Sequence, residues 1–71
     1  MRSTDDIVRT IASKGSVIVS AEGRMASDLV RMSSTAAGRD VTLVIKNSAS
    51  LTTDDLVHIG VAGKGHTLME V

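Results

Sequence analysis

Three times along the chain an acidic residue is followed by two aliphatics and a basic side chain. The copies are Thr4-Asp5-Asp6-Ile7-Val8-Arg9, Ala26-Ser27-Asp28-Leu29-Val30-Arg31 and Thr53-Asp54-Asp55-Leu56-Val57-His58. Nine to ten residues after the last Asp of each copy stands a glycine beside a cation, in Lys14-Gly15, Gly38-Arg39 and Lys64-Gly65, and a β-branched run follows each. This order constrains the fold because it carries both ends of a helix and the start of a strand in every copy. Ser3 or Thr4, and Thr52 or Thr53, can accept bonds from the open N–H groups of a first helical turn, and the Asp residues just inside suit the positive end of the helix dipole. Gly15, Gly38 and Gly65 are expected to stop the helices in the left-handed conformation.

Within the helices the aliphatics recur at helical spacing: Ile7, Val8 and Ile11; Met25, Leu29, Met32 and Ala36; Leu56, Val57 and Ile59. The runs Val17-Ile18-Val19, Val41 to Ile45 and Thr67 to Val71 read as strands. The predicted order is helix, strand, helix, strand, helix, strand, with Asn47 to Leu51 as a short fourth strand beside the second. The fold class is α/β: a small open-faced sandwich of three to four strands and about three helices, with residues 1–71 forming one domain. A short unit of the leucine-rich-repeat kind is the alternative, since the copies are spaced by 22 and then 27 residues.

Alternation along the strands divides the sheet into two faces. Val41, Leu43 and Ile45 form the seat for the helices, and the opposite face receives one aliphatic from each strand, Ile18, Val44 and Leu68. That strip is the candidate interface. A chain of 71 residues buries only ~60% of the surface its unfolded form exposes, so self-association is the natural supplement to its core.

Composition narrows the function. Eight basic residues balance eight acidic ones and are dispersed, and Phe, Tyr and Trp are absent, which removes both the phosphate attraction and the stacking platform of nucleic-acid binders. No cysteine is present, so neither disulfides nor thiolate metal sites are expected. No stretch of the chain is apolar for long enough to cross a bilayer or to act as a signal peptide, which makes the cytoplasm the expected location.

Chemistry-bearing sites are few. Asp54, Asp55 and His58 lie within one helical turn, but both acids serve the helix start and His58 takes the place of an Arg in the other copies. The glycines from Gly60 to Gly65 follow a helix, the wrong polarity for a phosphate loop. The turn Ser20-Ala21-Glu22-Gly23-Arg24 does run from strand to helix, which makes Gly23 and Arg24 the candidate anion site. His66, after a glycine turn, is expected to be solvated, and Ser33, Ser34, Thr35, Ser48 and Ser50 to be polar surface. No catalytic residue, metal site or cofactor is predicted.

From Ser16 onward the chain resembles the HPr-type phosphocarrier family. Gly23 follows the first strand as the family glycine does, Ala26 matches the alanine after the active histidine, Val41-Thr42-Leu43 is similar to the second strand, and Ile59 to Gly65 resembles the glycine-rich end of the second helix. The phosphorylated histidine of that family corresponds to Met25, the arginine and proline after it to Ser27 and Asp28, and its last helix is missing after Val71. Methionine carries no phosphoryl group, so the resemblance implies a non-catalytic relative. The expectation is a non-enzymatic interaction module that forms homo-oligomers and binds a protein partner, with a small-anion or phosphometabolite binder as the alternative.

Overall fold

The computed structural model describes residues 3–70. Among them are three α-helices, α1 (Thr4–Ala12), α2 (Ala26–Arg39) and α3 (Thr53–Gly63), and three strands, β1 (Val17–Ser20), β2 (Leu43–Lys46) and β3 (Thr67–Met69). The strands form one parallel sheet in the order β1-β2-β3. Consecutive parallel strands joined by helices require crossovers, and crossovers are almost always right-handed, so α2 and α3 fall on the same side of the sheet. Helix α1 packs against α2 and β1. The result is two layers, with extents of 29 × 26 × 17 Å.

The helix starts follow from their local chemistry. The Ser3 hydroxyl accepts from the Asp6 amide at 3.2 Å. At α3 the bonding is reciprocal, since the Thr52 hydroxyl accepts from the Asp55 amide and an Asp55 carboxylate oxygen accepts from the Thr52 amide. Helix α2 begins at Met25 with no side-chain cap. Its Arg31 instead reaches back 2.7 Å to Asp5 of α1, both side chains well exposed. The recurring acid and base therefore serve caps and also a contact between copies, although a solvated pair of this kind contributes little to stability.

The helix ends depart from the sequence-based expectation. Lys14, Asp40 and Lys64 hold the left-handed conformation, at φ 71°, 58° and 48°, and of the three expected glycines only Gly65, at φ 86°, shares it. Gly38 lies inside α2, which runs on to Arg39. A Cβ added there would meet nothing within 4 Å, and alanine avoids the backbone entropy that glycine loses on entering a helix. Gly38→Ala is expected to raise the stability by about 0.5–1 kcal/mol, read as a higher urea midpoint with an unchanged slope.

The expected fourth strand is not formed. Asn47 turns left-handed and Ser48–Ser50 make a single 3-10 turn. The Asn47 amide donates to the Ser20 hydroxyl at 2.9 Å, and the buried Ser48 hydroxyl donates to the Glu70 carbonyl. These side-chain bonds fasten the segment to β1 and to the end of β3, and β2, already paired on both edges with β1 and β3, has no edge left for a further strand. The strands also differ in length from expectation: β2 begins at Leu43 rather than Val41, β3 ends at Met69, and Val71 lies outside the described residues.

The core sits between the layers. Ile11, Leu29, Met32, Ala36, Leu43, Ile45 and Ile59 are fully buried, with Ile7, Val19 and Ala21 nearly so. Met25 and Val57, assigned above to the helical stripes, are instead exposed, Met25 because it stands at the N-cap, ahead of the first helical turn. Ser33 and Ser48, expected at the surface, are buried. Ser33 belongs to the inward stripe of α2, one residue after Met32, where helical geometry outweighs its polarity.

Candidate interaction surface

The sheet face turned away from the helices is open. Strand pairing aligns Ile18 with Val44 and Val44 with Leu68, so the three aliphatics form one continuous row across the strands. Ile18 is 67% and Leu68 58% exposed, and Val44, flanked on both sides, is half-buried. Two residues further along, alternation places Ser20, Lys46 and Glu70 on the same face. The bond from the Glu70 amide to the Ile45 carbonyl, 2.9 Å, carries the pairing that far. The surface is thus an apolar row beside a polar one in which Lys46 and Glu70, of opposite charge, are cross-strand neighbours. Parallel sheets are normally covered on both faces, and here one face is covered.

The anion candidate lies elsewhere, at the β1 edge. Gly23 is left-handed, at φ 73°, as a strand-to-helix turn requires. The Arg24 guanidinium donates to the Thr4 hydroxyl at 3.3 Å. It lines a cavity of about 400 Å³ between α1 and β1 together with Asp6, Glu22, Thr10 and Ile18. Two carboxylates on one cavity oppose an anion, and Arg24 is held by contacts within the fold. Ile18 belongs both to this cavity and to the open-face row, so the two candidate sites meet at one residue.

A second concavity, about 560 Å³, runs between α2 and α3, lined by Ala26, Val30, His58, Val61, Ala62 and Asp55 among others. Asp55 is engaged in the capping box of α3 and His58 is exposed, consistent with the structural roles read from the sequence. No helix of the described residues is long and apolar enough to cross a membrane.

The polar feature that sequence reasoning missed is at His66. Its Nε2 lies 2.7 Å from an Asp40 carboxylate oxygen, and its Nδ1 is buried without a hydrogen-bond partner. The bond to Asp40 raises the imidazole pKa above its ordinary 6.5; partial desolvation opposes the rise, and the Gly63 and Lys64 carbonyls add to it. The pair is 26 residues apart in the chain, so no local pattern announces it.

No known family, curated protein or solved structure matches the chain.

Proposed function

We propose that this chain is a non-enzymatic interaction module whose open sheet face, centred on Ile18, Val44 and Leu68, docks a second copy of itself. The alignment of these three side chains in one exposed row carries the reading. Two further properties favour a second copy as the occupant. The net charge is zero at neutral pH, so copies approach without long-range repulsion. Lys46 beside Glu70 is self-complementary, since a two-fold axis sets the cation of one copy against the anion of the other. The anion-binding alternative has less support, because Asp6 and Glu22 share the cavity of Arg24.

Sedimentation equilibrium at micromolar concentration tests the proposal. The expected mass is twice the 7.4 kDa of one chain, falling to a single chain in Val44→Lys and in Ile18→Lys. Lysine can extend from the uncovered face into water, so the circular dichroism of both variants should match the parent. A parent chain that remains a single copy, or folded lysine variants that still pair, would overturn the assignment.

A further inference from the structure

We infer that the His66 ring is a proton-operated clasp joining the C-terminal ends of α2 and α3, closed when both ring nitrogens carry a proton. The inference stands apart from the docking face, since it concerns contacts made within a single copy.

The geometry gives each nitrogen a different demand. Nε2 faces the Asp40 carboxylate at 2.7 Å, an acceptor with no proton to offer when ionised. Nδ1 is buried and makes no hydrogen bond, on a ring whose charged form is favoured by the main-chain carbonyls of Gly63 and Lys64 at the end of α3. Both sides of the ring therefore call for a donor. A neutral imidazole has one N–H and one lone pair. With the proton on Nε2, an unpaired lone pair is left on buried Nδ1 in a ring whose carbonyl neighbours favour positive charge; with the proton on Nδ1, the Nε2 lone pair is turned toward the carboxylate. Only the imidazolium suits both.

The placement fits helix electrostatics. The last turn of α3 contains no basic residue, whereas α1 and α2 have Arg9 and Arg39 there. A cationic His66 adds a second positive charge, beside that of Lys64 at the C-cap, to the negative end of α3. The charge acting on the ring comes from Asp40 at the end of α2; α3 contributes the Gly63 and Lys64 carbonyls. Val41 and Thr42, which lead into β2, and Leu43, which opens it, carry no ionisable group, while Arg39 and Lys64 stand next to these groups in the chain. The main chain of His66 is fixed as well, its amide donating to the Gly63 carbonyl at 2.8 Å and its carbonyl accepting from Leu43 at 2.9 Å. Opening the clasp would therefore loosen the ring and the end of α3 before the strand.

The sign follows from the direction of the shift. A histidine whose pKa is raised by folding adds stability that is fully present below its unfolded value, about 6.5, and is lost as the pH rises through the folded value. Asn at position 40 accepts the left-handed backbone as Asp does, so Asp40→Asn removes the charge and keeps the turn.

The test is a titration from about pH 5.5 to 8.5, following the ring nitrogens of His66 and the backbone amides of Gly63, Lys64 and Gly65 by ¹⁵N NMR. In the parent chain the ring is expected to titrate above 6.5, with the three amides moving at the same midpoint. In Asp40→Asn the midpoint should fall, and the Tm deficit of this variant relative to the parent should shrink as the pH rises. In His66→Gln the three amides should no longer titrate in this window. An unchanged midpoint in Asp40→Asn, or amides that ignore the ring's titration, would refute the clasp.

Discussion

Truncating Ile45 to alanine is expected to lower the free energy of unfolding by about 2–5 kcal/mol, a large fraction of the total stability of a chain this small. Ile45 is fully buried on the central strand, paired to Val19 on one side and Met69 on the other. Its removal leaves a cavity that two short edge strands and the helix layer cannot close without moving together. Domains as a class are stable by about 5–15 kcal/mol, and a chain this small belongs near the lower limit. The neighbouring residue provides the control. Val44 faces the opposite side of the same strand, so Val44→Ala removes methyl groups from the uncovered face and costs a single copy far less. Urea unfolding of the two variants, with Ile18→Lys as a dissociated background for both, measures the difference. Equal losses at positions 44 and 45 would show that the sheet does not have one covered and one open face.

The faces of the strands were legible in the sequence because alternation is a property of each strand alone. Val41, Leu43 and Ile45 were separated from Val44 before any pairing was known, as was the helix start at Thr52, where donor and acceptor are three residues apart. The alignment of Ile18, Val44 and Leu68 into one row was not legible in the same sense, since it depends on strand order and register. Helix ends are only partly legible for a related reason. Glycine is the cheapest left-handed residue, but the chain turns at Lys14, Asp40 and Lys64, and the cost of a side chain there is modest enough for the surrounding packing to override. Asn47 to Leu51 has the composition of a short strand, yet the bonds that bend it come from Ser20 and Glu70, more than 20 residues away. The site residues divide likewise. Gly23 was legible as a local turn, whereas the company of Arg24, including Asp6 and Thr4 from the first helix, came only with the packing of α1 beside β1.

Gly63 shows how far packing can reverse a local rule. Like Gly38 it occupies the last turn of a helix, and helix propensity alone would give alanine an advantage of up to about 1 kcal/mol at either position. At Gly63, however, a new Cβ would sit 2.3 Å from the Thr67 hydroxyl oxygen and 2.8 Å from the Thr67 Cβ. Rotating the threonine can relieve the first contact and cannot relieve the second, because Cβ is fixed to the strand. Helix α3 would have to lift from β3, separating buried Ile59 from the sheet, so Gly63→Ala is expected to destabilise by a net 1–3 kcal/mol. A double-mutant cycle isolates the cause. Thr67→Gly removes both obstructing atoms, and although it weakens the strand by itself, alanine at position 63 should then be neutral or mildly stabilising, as at position 38. If alanine at 63 costs the same with glycine at 67, the loss does not arise from this contact, and the close approach of α3 to β3 is not what requires the glycine.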